Sequence, residues 1–536
     1  MKILFTIGFV ALFGGGFAQA PNFIDGSEAA GMAGTSSNYA AAIVDIDQDG
    51  LEDIYIGSKN QPNKLYRNNG DGTFTDIAPE LGLDFAGNTY TSIWCDFDND
   101  GDTDGYLGNF DAPNTFYRNL GNGLFAEEAT QLGIAGVGKT RCVTSADVNN
   151  DGFLDIYVIN LTQHNEFYLS DGNGGYTDFY FASGATDALI GMGAVFFDSD
   201  NDGDQDLYLT HDAYQANKFY INDGTGHFIN NAVALGADHA GEGMGVDVTD
   251  LDHDGWMDIY IANNYDGNTL LMNNGDGSFT DYSGGALIED IGMGWGTAFT
   301  DFNLDGEKDI YVVNNYAFTS VINPLFENNG DTSFTQVGQG TILDSPNTGA
   351  GFAVADLDLN GTEDFVIANA LTGSSVGVQL LWNETLGNNW INLKLQGTAS
   401  NRDAIGSRAV IYTQNMVQTD VVLSASGYSQ MNSLKLNFGL GTETHVDSAV
   451  VSWPSGLIET FENLNINQTH ALVEGSQTFI PLSGDFDENM QFDVIDLLIL
   501  LGDLGCEGDA CIGDLNNDGM VNSTDLLFLL TLFGGE

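Results

Sequence analysis

The sequence predicts a mainly β protein: a seven-bladed β-propeller with acidic loops, then a small all-β domain, then a small α-helical C-terminal module. Three observations carry this. The pattern D-x-[DN]-x-[DN]-G-x-x-D occurs seven times, from Asp45, Asp96, Asp147, Asp198, Asp250, Asp301 and Asp356, at intervals of 51 or 52 residues and finally 55. A turn marker keeps step with it, as Asn69-Gly70-Asp71-Gly72, Gly121-Asn122-Gly123, Gly172-Asn173-Gly174, Gly224-Thr225-Gly226, Gly275-Asp276-Gly277 and Gly330-Asp331. After Trp382 the repeat stops and shorter alternating strands follow.

Each period reads as four strands, in the first copy Ala40–Val44, Asp53–Gly57, Lys64–Asn68 and Thr73–Ile77. The acidic loop joins the first two, and the Asn-Gly/Asp-Gly turn joins the last two. Four antiparallel strands per repeat of about 50 residues is the arithmetic of a propeller blade. The seventh unit lacks a strand after Gln379–Trp382, while the chain opens with Phe23-Ile24-Asp25, a fragment like Phe74-Thr75-Asp76. That fragment is expected to close the ring as the missing outer strand. Gly193, Gly243, Gly245, Gly294, Gly296, Gly349 and Gly351 suit innermost strands crowded around an axis. Tyr55, Tyr106, Tyr157, Tyr208, Tyr260 and Tyr311 recur at one position, which reads as packing between blades rather than a ligand stripe.

The propeller is expected over 21–383, the second β domain over 388–475, a linker over 476–484 and the last module over 485–536. Residues 1–18 read as a secretory signal peptide, with Lys2 before the apolar stretch Ile3–Phe13. No later apolar run is long enough to span a membrane as a helix, so a secreted, extracellular or cell-surface location is expected. Among four cysteines, Cys506 and Cys511 are expected to pair, while Cys95 and Cys142 read equally as a pair or as small buried residues.

The chain has 536 residues, 76 Asp+Glu against 13 Lys+Arg, and a net charge of −63. So acidic a surface repels phosphates, and nucleic acid is excluded as a partner. The 43% apolar fraction rules out wholesale disorder.

The acidic loops account for much of the charge. Carboxylates or amides at positions one, three and five, a turning Gly at six and a carboxylate at nine form an all-oxygen set suited to Ca²⁺. The expected ligands are Asp45, Asp47, Asp49 and Asp53; Asp96, Asp98, Asp100 and Asp104; Asp147, Asn149, Asp151 and Asp155; Asp198, Asp200, Asp202 and Asp206. The last three sets are Asp250, Asp252, Asp254 and Asp258; Asp301, Asn303, Asp305 and Asp309; and Asp356, Asp358, Asn360 and Asp364. The carbonyl of Leu51 is the expected fifth ligand of loop one. Asn149, Asn303 and Asn360 lower the charge of three sites and should weaken them. Ile56 stands where an EF-hand places its glutamate, so these loops return into strands, and the metal's expected role is structural. Repeats such as Asp45-Ile46-Asp47-Gln48-Asp49-Gly50-Leu51-Glu52-Asp53 resemble FG-GAP/VCBS repeats, the calcium-loop blades also seen in integrin α-chains.

The second domain has expected strands at Trp390–Leu395, Ala409–Tyr412, Val421–Leu423, Leu434–Phe438 and Ala449–Trp453. Its stretches Ser400-Asn401-Arg402-Asp403-Ala404-Ile405-Gly406-Ser407-Arg408, Gly427-Tyr428-Ser429-Gln430, Phe438-Gly439-Leu440-Gly441 and Val451-Ser452-Trp453-Pro454-Ser455-Gly456 resemble the ASPIC/UnbV domain. A propeller followed by this domain is the arrangement of the cartilage acidic protein 1 family, which implies an extracellular, calcium-binding protein. Arg402, Asp403 and Arg408 read either as an anion or partner contact or as an internal ion pair.

Two more acidic loops close the chain: Asp485, Asp487, Asn489, Asp493 and Asp496, then Asp514, Asn516, Asp518, Asn522 and Asp525. Leu-rich runs follow each, which reads as loop-then-helix and resembles a dockerin. That resemblance implies up to two further Ca²⁺ and a cohesin-like partner. Met490 departs from the glycine expected at its position.

No catalytic motif stands out among the seven histidines, 164, 211, 227, 239, 253, 445 and 470. The expected function is a non-catalytic, calcium-bound adhesion or binding protein for an extracellular protein or glycan. A dockerin-bearing component of polysaccharide degradation is the alternative, with a carboxylate pair hidden at the propeller axis. Loops opposite the acidic ones, including Phe110-Asp111, His164-Asn165, His211 to Tyr214, Tyr265-Asp266 and Tyr316-Ala317-Phe318, form the expected binding face.

Overall fold

The computed structural model describes residues 20–476, apart from 35, 122, 137, 162, 316–320, 345–347, 371–376 and 386, together with 501, 504 and 521. The chain divides into two units, Met1–Glu474 and Gly475–Glu536. The expected signal peptide, the last module with its ten ligand positions, Cys506 and Cys511, and the loop at 316–318 lie outside the described residues. No helix among the described residues is long and apolar enough to cross a membrane.

Seven four-stranded antiparallel units make up residues 23–383. In the first, Asn38–Val44, Asp53–Pro62, Lys64–Asn68 and Phe74–Asp76 pair in that order. Strands such as Asp155–Asn160 (DIYVIN) are buried along their whole length. Both faces of each sheet are covered by its neighbours, so β-branched and aromatic residues run almost unbroken instead of alternating with polar ones. The inner strands Asn38–Val44, Ala86–Cys95, Thr140–Ala146, Gly191–Phe197, Gly243–Thr249, Gly294–Thr300 and Gly349–Ala355 each adjoin the next, and the last adjoins the first. The result is a closed, propeller-like ring. Phe23–Asp25 supplies the outer strand of the seventh unit, with Phe23 opposite Asn383 and Asp25 opposite Leu381.

The recurrent tyrosines are core residues. Tyr55, Tyr106, Tyr157 and Tyr208 are buried, and their hydroxyls donate to the carbonyls of Leu83, Ile134, Ala185 and Ala237 at 2.7–3.0 Å. Each hydroxyl so ties a second strand to the segment leading into the next sheet. That segment begins with a one-turn helix, as in Ala78–Leu81, ended by Gly82 at φ 73°. Helices this short leave no periodic trace in a sequence.

The second domain is two sheets. Asn389–Gln396 lies between Leu436–Gly441 and, in parallel, Thr469–Val473. Val417–Val421, Arg408–Tyr412, Ser448–Ser452 and Ile458–Phe461 form the other. The strand expected at Val421–Leu423 therefore starts and ends earlier. Val422 leaves it to donate its amide to Ser407, and the chain turns toward the ring. Ile391, Val451 and Phe438 share one continuous core with Tyr55, Trp94 and Tyr106 of the ring. Cys95 and Cys142 are unpaired and buried.

Candidate metal loops and the axis they surround

Each acidic loop joins an inner strand to the second strand of its sheet, and one backbone path serves all seven. Position six is a glycine at positive φ, between 87° at Gly255 and 98° at Gly101. Position four is also left-handed without being glycine: Gln48, Asn99, Asn150, Asn201, His253, Leu304 and Leu359 lie between 56° and 61°. These two residues fold the carboxylate of position one back onto the amide of position six, at 2.7 Å from Gly152 to Asp147 and 2.8 Å from Gly306 to Asp301. Position five likewise accepts the amide of position seven, as in Leu51 to Asp49 at 2.9 Å.

These bonds aim the side chains inward. One oxygen from each of Asp45, Asp47 and Asp49 lies within 4.8 Å of the others, and so it is for Asp96, Asp98 and Asp100, for Asp198, Asp200 and Asp202, and for Asp250, Asp252 and Asp254. In loops three, six and seven Asn149, Asn303 or Asn360 replaces one carboxylate. The ninth-position aspartate anchors the loop to the third strand. Asp53 accepts the amides of Asn68 at 2.7 Å and Ile46 at 3.2 Å, Asp155 those of Ser170 and Val148, and Asp364 those of Asn383 and Leu357.

A carboxylate offers about four acceptor sites, so these bonds orient it without exhausting it. Asp45 Oδ1, Asp200 Oδ1, Asp250 Oδ1 and Asp356 Oδ1 are buried without a hydrogen-bond partner among the described residues. Burial pushes Asp53, Asp206 and Asp258 up to about 8, and Asp147, Asp198 and Asp250 up to about 6. Buried, converging oxygens with unused lone pairs fit a hard divalent cation. Loop two differs, because Arg118 Nη1 bonds both Asp98 at 2.7 Å and Asp104 at 3.0 Å.

The loops are also joined to one another. From position four, Asn99 Nδ2 donates to the carbonyl of Gly152 at 2.8 Å, Asn150 Nδ2 to Asp204 at 2.9 Å and Asn201 Nδ2 to the carbonyl of Gly255 at 3.2 Å. Gln48 Nε2 donates to the carbonyl of Gly101, and His253 Nε2 meets Glu307 at 3.2 Å. Loops one to six thus form one relay. Leu304 and Leu359 end it, and the Leu304 carbonyl instead accepts Gly441 of the second domain at 2.8 Å.

The second domain sits on this loop face. Arg408 Nη2 donates to the Gly255 carbonyl at 2.7 Å, Asn392 Nδ2 to Asp356 at 3.2 Å, and Lys394 Nζ lies 3.5 Å from Asp45. Asp403 accepts the amide of Asp96 at 2.7 Å, and the Arg402 amide donates to Asn99 at 2.8 Å. Arg402, Asp403 and Arg408 are therefore internal contacts between domain and loops.

From this seat, residues 424–433 enter the axis and touch the inner strand of every unit. Gln430 and Met431 pair in parallel with Ala41 and Ala42. Trp94 donates its amide to Met431 Sδ at 3.1 Å, and Ser145 its amide to Ser424 Oγ at 2.9 Å. A Cβ on Gly193 would lie 3.2 Å from the Gly427 carbonyl. Buried Asp247 bonds Ser426. Gln430 brackets Thr297, accepting from its amide at 3.2 Å and donating to its carbonyl at 2.6 Å, and Asn432 accepts the Val354 amide at 3.2 Å. The axis, where a hidden catalytic pair would have to stand, is filled by this segment.

At the far end of the axis the register of every inner strand is irregular just after its first pair. The residues there are Tyr39, Tyr90, Arg141, Met192, Met244, Trp295 and Ala350, one per unit. Such bulges re-aim side chains. Arg141 Nη1 donates to the Tyr428 hydroxyl at 2.8 Å, Trp295 meets the Tyr428 ring edge-on at 5.1 Å, and Met192 and Met244 pack on it.

The family description "FG-GAP-like repeat" matches residues 45–107, 96–158, 147–209, 198–261, 250–312 and 301–367, which together exceed half of the chain. The chain belongs to the FG-GAP-like repeat family. Residues 397–479 match "ASPIC and UnbV". Cartilage acidic protein 1 of Xenopus tropicalis is 25% identical over 474 residues, covering 80% of this chain and 72% of that protein. The Homo sapiens protein of the same name is 28% identical over 225 residues, 38% of this chain and 32% of that protein. The matched region thus spans about a third of the human relative. Among solved structures, the BP39L lectin from Burkholderia pseudomallei shares 10% identity at a TM-score of 0.46, covering 66% of this chain and 98% of the lectin. Exotype rhamnogalacturonan lyase YesX shares 13% identity at 0.37, covering 66% and 72%. Likenesses of this size carry no argument.

Each FG-GAP-like match begins at the first aspartate of a loop and ends in or just after the second strand of the next unit. The family unit is therefore offset from the structural sheet by one strand. In loops one, two, four and five the carboxylates at positions one, three and five converge, while position nine serves the backbone as well. Sequence reasoning missed the relay at position four, although its Gln, Asn and His stand in phase with the acids. It also missed the axial segment, whose only sign was the Gly427-Tyr428-Ser429-Gln430 stretch of the ASPIC/UnbV resemblance.

Proposed function

We propose that this FG-GAP-like repeat protein is a calcium-held, non-catalytic binding or adhesion protein of the cell exterior, its ring a seven-bladed propeller. The observation that carries the reading is the set of loop carboxylate oxygens buried without a hydrogen-bond partner among the described residues. Asp, Asn and the position-seven carbonyl would hold Ca²⁺ there, and the cation would supply charge compensation and fix each strand-to-strand corner. Three cationic side chains of the second domain, Lys394, Lys435 and Arg408, meet the same loops, so metal, loops and domain form one structural unit. Neither family description is that of an enzyme, and ligand binding falls to the face opposite the loops. The acidic loops near the C-terminus add up to two cation sites to the proposal.

An array of matrix proteins and glycans, probed with and without chelator and read beside a reducing-sugar assay, tests this. Calcium-dependent retention without sugar release is expected. Sugar release abolished by one carboxylate change outside the loops would overturn the binding reading in favour of a hydrolase or lyase.

A further inference from the structure

The end of the axis remote from the acidic loops carries a cluster of cations set against aromatic rings. Lys59, Lys139 and Arg141 are three of only 13 Lys+Arg in the chain. Lys59 comes from the first unit and Lys139 and Arg141 from the start of the third, and they meet around one aromatic stack supplied by the first and second units. Tyr39 stacks on Tyr90 at 4.1 Å, and Tyr90 on Phe110 at 4.8 Å. The Arg141 guanidinium lies 5.0 Å from the Tyr90 ring and 4.8 Å from Phe110, with Lys139 Nζ 5.2 Å from Phe110 and Lys59 Nζ 5.4 Å from Tyr39.

Aromatic faces attract these cations but do not neutralise them. Among the described residues, none of the three has a carboxylate oxygen within 4.0 Å. This is notable with 76 acids available. Arg141 Nε is buried without a hydrogen-bond partner among the described residues. Lys139 is exposed, and Lys59, Arg141 and Phe110 are half-buried, so the group is open to solvent on one side.

We propose that this mouth binds the carboxylate of an acidic sugar, a uronate-type residue within a glycan. A guanidinium between two lysines suits a planar carboxylate. The half-buried ring of Phe110 offers an apolar surface to the C–H face of the sugar. A densely charged polyanion would be repelled by the net −63 of the chain. A peptide strand has no free edge at the first unit's inner strand, because Gln430–Met431 pairs there. The inference rests on the binding-protein reading above and names its ligand class.

The test is calorimetric titration of the full chain, at saturating calcium, with an oligosaccharide that carries a single uronate residue, its methyl ester and the neutral parent oligosaccharide. The acid form is expected to bind, and the double variant Lys59→Gln/Lys139→Gln, which leaves the Tyr428 bond intact, to bind about tenfold or more weakly. Arg141→Met should abolish binding, and an unchanged melting temperature in the double variant guards against misfolding. Equal binding by variant and wild type would place the uronate away from this mouth and overturn the proposal. Equal binding by the ester or the neutral sugar would overturn it while leaving the binding-protein reading intact. No binding by any sugar here, with retention of a matrix protein on the array, would overturn the ligand class alone.

Discussion

Asn99 of the second acidic loop donates its side-chain amide to the carbonyl of Gly152 in the third, at 2.8 Å. Gly152 in turn donates its own amide to Asp147, the first expected ligand of that loop, at 2.7 Å. Two neighbouring sites therefore share one hydrogen-bonded path. If cations occupy the loops, ordering one should ease the ordering of the next. In Asn99→Ala, calcium affinity at loops two and three should fall together by about fivefold, seen as a shallower calorimetric isotherm. An unchanged isotherm would mean that the loops bind independently.

The axial segment leaves no room at the inner strands. A Cβ on Gly351 would lie 2.2 Å from the Tyr39 carbonyl and 2.6 Å from that of Ser429, whereas one on Gly34 would meet nothing within 4 Å. Gly351→Ala should cost about 3 kcal/mol by overpacking against backbone, and Gly34→Ala should be close to neutral. Chemical denaturation of the two variants checks this.

Gln430 bonds both backbone polar groups of buried Thr297 from the axis. Gln430→Ala should lower stability by about 2 kcal/mol, because an amide and a carbonyl are left buried and unpaired. Retention of wild-type stability would show that water replaces the side chain.

Without metal, the loop aspartates give an unusual pH dependence. Asp53, Asp206 and Asp258 rise from 3.8 to about 8 because burial penalises the charged form. A raised folded pKa stabilises below the unfolded value and is lost as pH climbs through the folded one. In chelator the melting temperature should therefore fall between about pH 4 and pH 8. With calcium the carboxylates stay ionised and the trend should reverse.

Glu474 works in the opposite sense. It accepts the Ser455 hydroxyl and the amides of Thr398, Ala399 and Ser400, the amides at 2.7–2.9 Å, and these bonds overcome burial and hold it down to about 2. Its contribution is present above the unfolded value of 4.5 and is lost as pH falls toward 2. Glu474→Gln should melt earlier than wild type at pH 7, with the gap closing in acid.

What the sequence made legible is what repeats or is local. The seven aspartate loops, the recurrent tyrosines and the closing strand Phe23–Asp25 each rest on a period or on a fragment that matches one. The axial segment is neither. Ser424 meets Ser145, 279 residues away, and nothing in its small polar residues signals burial. The set of residues at the far end of the axis, one per unit, was hidden for another reason. Tyr39, Arg141, Met192 and Ala350 occupy one structural position yet share no chemistry, because Arg141 and Met192 meet the Tyr428 side chain while Tyr39 and Ala350 pack with Tyr90 instead. Val417–Val421 was misplaced because Val422, equally apolar, is buried by a turn rather than by a strand.

The claim on which the rest depends is that calcium holds the loops. Thermal melting of the full chain at neutral pH, in 1–5 mM-range calcium and again in excess EDTA, tests it most directly, with the window set at about the millimolar affinity of extracellular calcium modules. A loss of about 10 °C or more on chelation, restored by added calcium, is the predicted result. Superimposable melting curves would contradict the account.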